Sequence, residues 1–95
     1  MDDSFQFARD HAEEITQIIE ARKFRDPHLI DYDDPKYDLT LLITPASRAS
    51  LLDMGAIMTE FEDRWNLKVM LVTPQALSPA DRELVRPLQA AQPPD

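Results

Sequence analysis

The side chains in this chain that could do chemistry are mostly aspartates, and they gather in one stretch. Asp31, Asp33, Asp34 and Asp38 fall within the segment DYDDPKYD. Closely spaced carboxylate oxygens are the ligands that hard cations such as Mg²⁺ and Ca²⁺ take. As a calcium loop starting at Asp31 the stretch fails. Lys36 stands where glycine must turn the chain, and Leu42 where a bidentate glutamate is required. A rebuilt metal site on Asp38, Asp33 and Asp34 is the sharp expectation, and a solvated acidic turn is the plain one. His11 and His28 have no partner at zinc-ligand spacing. His11 is expected to pair on a helix surface with Asp10 or Glu14. Ser47, Ser50 and Ser78 lack a histidine–acid context and read as caps and loop residues. Cysteine is absent, which excludes a disulfide, a thiolate nucleophile and a cysteine–zinc site. One glycine, Gly55, excludes a P-loop and a dinucleotide fingerprint, because each needs several for close backbone approach to phosphate.

The chain has 95 residues, 10 of them basic and 18 acidic, for a net charge of −8. That length suits one domain over residues 1–89 followed by a disordered tail at 90–95. It allows one modest core, with ~60–68 % of the unfolded surface buried. The acidic balance opposes direct nucleic-acid binding, which needs clustered Lys and Arg. It opposes anionic membrane surfaces too, and it suits a basic protein partner or simple solubility. No apolar run reaches the roughly 18 residues of a membrane helix. The start Met1-Asp2-Asp3 lacks the basic region of a signal peptide, so a cytoplasmic protein is expected.

Several elements must position these residues. Asp2, Asp3 or Ser4 caps a first helix, in which Phe5, Ala8, Ala12, Ile15 and Ile19 recur at helical spacing. Ile18 and Phe24 widen that stripe, and the helix should end before Pro27. Residues 26–37 form an acidic connection in which His28-Leu29-Ile30 suits a short strand and Asp33-Asp34-Pro35-Lys36 a turn. Asp38 to Thr44 reads as a strand with Leu39, Leu41 and Ile43 on one face and Asp38, Thr40 and Leu42 on the other. Ser50 and Asp53 form a capping box. Met54, Ile57, Met58, Phe61 and Trp65 then supply the apolar stripe of a second helix. The stripe reads mainly as core, and with Met70 as an adaptable partner surface in the alternative. Asn66 suits the left-handed stop. Leu67 to Thr73 is apolar almost throughout, which favours an interior strand. Ser78-Pro79 opens a short third helix, after which Leu84, Val85 and Leu88 pack. The expected class is α/β (α+β): a small mixed sheet of about three strands packed by two to three helices.

Four pieces of this map stand in an order and spacing worth noting: Ser50-Leu51-Leu52-Asp53-Met54-Gly55, Phe61-Glu62, Lys68-Val69-Met70-Leu71-Val72-Thr73-Pro74, and Ala76-Leu77-Ser78-Pro79. Over about residues 36–88 the run resembles the minimal nucleotidyltransferase (MNT) family, small prokaryotic proteins of the DNA polymerase β-like nucleotidyltransferase superfamily. The resemblance implies a nucleotidyltransferase-like core. The family's site joins a Gly-Ser turn that holds phosphates, an Asp-x-Asp pair that binds magnesium, and a third acid on the following strand. In this chain Asp38-Leu39-Thr40 keeps the first acid and replaces the second, Met70 occupies the place of the third, and the Gly-Ser turn is missing. A thioether suits a hard cation poorly. The resemblance puts Met70 in the active cleft and Lys68 on the same face, where Lys68 is expected to pair with Asp38.

Two functions follow as expectations. The first is a degenerate, non-catalytic member, a pseudoenzyme without cofactor that acts through protein binding. The resemblance points to an MNT-type antitoxin or a regulatory partner of a helical HEPN-type protein, and homodimerisation is a related option because sheet edges want covering. Its relic positions are Asp38, Thr40 and Met70. The second is an active Mg-dependent nucleotidyltransferase that uses Asp38 with Asp31, Asp33 or Asp34. A site completed by a second subunit is a third form of the same idea.

Overall fold

A computed structural model describes residues 3–31 and 35–88. The order of elements is α1 (Asp3–Asp10), α2 (Ala12–Ala21), β1 (Phe24–Ile30), β2 (Leu39–Pro45), α3 (Leu51–Trp65), β3 (Val69–Val72), a 3₁₀ turn at Pro74–Ala76, α4 (Pro79–Arg82) and β4 (Val85–Pro87). The strands form one mixed sheet in the order β3-β2-β1-β4. β1 runs antiparallel to β2 and to β4, while β2 and β3 are parallel across the α3 connection. This is the expected α+β class, with β4 as an addition. Among the described residues no helix is long and apolar enough to cross a membrane. The expected tail at 90–95 lies outside the described residues, as do Asp33 and Asp34.

One face of the sheet meets the helices. Leu29, Leu39, Leu41, Ile43 and Val69 pack with Ile15, Ile19, Ile57 and Phe61 in a single buried cluster. The other face alternates through Thr40, Leu42, Met70 and Val72, and Ile30 pairs across from Val85 on β4. Ile30 and Thr40 are buried although they lie outside the main core cluster. β3 and β4 form opposite edges, so residues 73–84 must cross the sheet between them.

Local chemistry explains the element ends. Ser50 Oγ accepts the Asp53 amide at 3.4 Å, and the Asp53 carboxylate accepts the Ser50 amide at 3.0 Å, which closes the capping box of α3. Asn66 ends α3 in the left-handed region at φ 56°, a conformation that asparagine tolerates well. Ser78 and Asp81 repeat the reciprocal cap on the single turn of α4.

Four expectations are corrected. The first helix does not run to Phe24. It bends at His11 and stops at Ala21, and Phe24 opens β1. At the bend His11 Nδ1–H donates to Phe7 O at 3.0 Å, the carbonyl that also takes the His11 amide, and a side chain entering the ladder is a known cause of kinks. His11 accordingly pairs with neither Asp10 nor Glu14. It stacks on Phe7 at 4.2 Å and meets Trp65 edge-on at 5.4 Å, while Asp10 accepts from Gln6 and Glu14 pairs with Arg64. β3 is an edge strand, not an interior one. Its apolar run is accounted for by coverage on both faces, with Val69 buried and Met70, Leu71 and Val72 half-buried. Met58 leaves the inner stripe of α3 and is 38 % exposed. Val85, expected to pack, is half-buried and opens β4.

β1 also carries an irregularity that its sequence hides. Arg25 pairs with Thr44 and His28 with Leu42, so Asp26 and Pro27 together stand opposite Ile43. That is a bulge, with Asp26 in the left-handed region at φ 52°. Proline is tolerated there because no ladder hydrogen bond is asked of it.

Candidate functional site

Asp38, Thr40 and Met70, the positions singled out by the resemblance, lie at the β2–β3 junction. Thr40 and Met70 are register partners in the parallel pair. Asp38 sits just before β2, and its carboxylate accepts the Lys68 amide at 2.9 Å while its own amide donates to Lys68 O at 2.7 Å. Leu39 N donates to the same Lys68 carbonyl at 3.3 Å. Asp38 therefore works as a clasp that aligns the starts of β2 and β3. The expected pairing of Asp38 with the Lys68 side chain is replaced by pairing with the Lys68 backbone. A short carboxylate reaches the neighbouring amide directly, and the parallel register brings that amide to it.

Thr40 is 4 % exposed, so its hydroxyl is withdrawn from solvent. Met70 beside it is half-buried and presents a thioether and methyl. Asp38 is the exposed member of the three. Asp31 lies at the end of β1, where its amide donates to Leu84 O at 2.9 Å. Asp31 is thus bonded toward the β4 side of the sheet and Asp38 toward the β3 side. Among the described residues no group of three or more His, Asp or Glu side chains is placed to hold a metal ion.

Two grooves bear on the candidate residues, one beside Lys68 and one at His28. One, of about 230 Å³, is lined by Tyr37, Met58, Glu62, Leu67, Lys68 and Val69, between the outer side of α3 and the strand starts. The other, of about 270 Å³, lies over the β1 bulge between Thr16, Glu20, Asp26, Pro27, His28 and Leu88. There His28 Nδ1–H donates to Asp26 O at 2.9 Å, which fixes the imidazole on the bulge. His11 stands elsewhere, in the aromatic group of Phe7, Trp65 and Phe61.

Sequence reading missed one surface. Leu51 and Leu52 are 83 % and 86 % exposed, and with Gly55 and Met58 they form the outer side of α3. The signal was available: Leu51, Gly55, Met58 and Glu62 follow the helical spacing of a second stripe, offset from the stripe that meets the core. Comparison of the chain with known protein families, with curated proteins and with solved structures gave no match.

Proposed function

We propose that this protein acts by binding another protein, on a nucleotidyltransferase-like scaffold whose former metal site serves structure. The observation that carries the reading is the use made of Asp38. A carboxylate that accepts a strand amide at 2.9 Å holds β2 and β3 in register. A metal taken there would have to compete with that bond. Its neighbours in the site are a buried threonine hydroxyl and a thioether, which are weak ligands for Mg²⁺. Two-metal nucleotidyl transfer needs carboxylates on both ions.

The partner suited to the surface is basic. A net charge of −8 steers association with a cationic face and gives a complex that weakens with salt. The resemblance to the MNT family narrows the proposal to a helical HEPN-type protein, in the manner of an antitoxin masking its toxin.

The test is an amide NMR titration with Mg²⁺ and ATP that follows residues 31–40 and 68–73, together with co-purification against any helical protein encoded beside it. The expected result is no saturable shift at millimolar ligand and a salt-sensitive complex with the helical protein. Localised, saturable shifts with label transfer from a nucleoside triphosphate would replace this reading with the Mg-dependent enzyme built on Asp38.

A further inference from the structure

The groove over the β1 bulge exists because β4 is short. β4 pairs only with His28, Leu29 and Ile30, so it stops before the bulge and leaves Asp26 and Pro27 without a strand on that side. Leu88 follows β4 into the gap, and α2 supplies Thr16 and Glu20, one turn apart. The resulting cavity of about 270 Å³ is smaller than the roughly 300–1,000 Å³ of a small-molecule pocket. It is the size for a single side chain.

The polar lining of this groove accepts hydrogen bonds and carries negative charge. Glu20 and Asp26 bring two carboxylates and Thr16 a hydroxyl. His28 Nδ1 bonds the Asp26 carbonyl, which can only accept, so that nitrogen holds the ring proton. Nε2 of the neutral ring is thereby left as an acceptor. Among the described residues no Lys or Arg lines the groove. Arg25 reaches Asp26 only at 4.0 Å, with the two side chains 64 % and 70 % exposed, and such a pair is worth little. Glu20 makes no ion pair among the described residues.

The missing cation is not a metal ion. Glu20, Asp26 and His28 do not converge on one point, since no group of three such side chains among the described residues is placed to hold a metal. Acceptors spread around a groove call for a cation whose donors are spread as well. A guanidinium has several N–H donors in a planar fork, whereas an ammonium is a compact point charge. An arginine also brings an aliphatic stem, and the groove offers Pro27 and the buried Leu88 to receive it.

We infer that the groove over the β1 bulge binds an arginine side chain, with its guanidinium between the Glu20 and Asp26 carboxylates and its stem on Pro27 and Leu88. The site rests on the groove alone. That the arginine belongs to a partner protein rests on the protein-binding reading above, and it turns a diffuse net charge into a specific contact.

An amide NMR titration of the full chain with N-acetyl-arginine amide, against sodium chloride at matched ionic strength, tests this. The expected result is saturable shifts at Thr16, Glu20, Asp26, His28 and Leu88, with a Kd of about 1–10 mM for so small a probe. N-acetyl-lysine amide should bind at least about threefold more weakly, because one ammonium does not span both carboxylates. Glu20→Gln and Asp26→Asn should each weaken the arginine probe about three- to tenfold, the loss of one charge-assisted contact. Both variants keep the fold, since Glu20 is exposed on α2 and asparagine tolerates the left-handed backbone of Asp26. Glu13→Gln removes the same charge from an exposed position outside the groove and should change nothing. Absence of saturable shifts up to about 50 mM probe overturns the inference. An equal response to the lysine probe, or equal weakening by Glu13→Gln, overturns it too, because only net charge would then be read. Groove shifts without a complex with any helical protein would keep the site and remove the protein-binding reading. A complex that Glu20→Gln and Asp26→Asn leave unchanged would keep that reading and remove the groove from it.

Discussion

The two sides of α3 differ in what accounts for them. Its inner side carries Ile57 and Phe61, both fully buried, with Met54 and Trp65 packed at the margin of the core. Every large apolar residue there has an intramolecular partner. Trp65 is held edge-on by Phe61 at 5.3 Å and by Phe7 at 5.3 Å, and the Arg64 guanidinium lies 5.7 Å from its ring centre. The outer side carries Leu51, Leu52 and Gly55, which stand exposed, and Met58, which is 38 % exposed at the groove of Tyr37 and Leu67. The inner stripe is the cause of the fold. The outer stripe is a cost to the isolated monomer: two exposed leucines gain nothing from burial, and the glycine between them weakens the helix. A single helix thus separates residues that stabilise this chain from residues that add little to its stability.

The contrast can be broken or sharpened by substitution, with unfolding followed in urea at protein concentrations low enough for the monomer. The largest effect is expected at Phe61→Ala, which removes a ring with no exposed surface and should cost about 3–5 kcal/mol. For a domain of this size that is a large part of the total stability, and a cost near zero would mean that the inner stripe is not the core. Next comes Ser50→Ala, which opens the capping box that starts both stripes and should cost about 1 kcal/mol. Gly55→Ala should act in the opposite direction and raise the midpoint, with a gain of about 0.5–1 kcal/mol. A destabilised Gly55→Ala monomer would show a packing role for this glycine within the chain. The smallest effect is expected at Leu52→Ala, within about 0.5 kcal/mol of zero, since the side chain is 86 % exposed. A loss comparable with that at Phe61 would erase the distinction between the two sides.

Much of this molecule was legible in local chemistry. Ser50 with Asp53 announced the start of α3 and Asn66 its end, because caps and left-handed stops depend on residues within one turn of each other. Ser78-Pro79 marked the start of α4 for the same reason. The strand at Asp38 to Thr44 followed from alternation, and Leu39, Leu41 and Ile43 do share the core face. Phe24 was misplaced because its spacing continues a helix, and only pairing with Pro45 on β2 makes it the first residue of a strand. Met58 was misplaced because a broad apolar pattern on α3 covers two stripes, and only the position of the sheet decides which one faces inward.

The sequence by itself determined the chain's charge, its lack of cysteine and of glycine-rich phosphate loops, the capped limits of α3, the capped start of α4, and the residue types at Asp38, Thr40 and Met70. These are properties of composition or of neighbours along the chain. The tertiary structure alone decided that β3 lies at an edge, that β4 closes the other edge against β1, that His11 turns into an aromatic group, and that Asp38 clasps the Lys68 amide. Each of these depends on a partner far away in sequence, and a partner is chosen by the register and packing of the whole sheet, which no local pattern encodes.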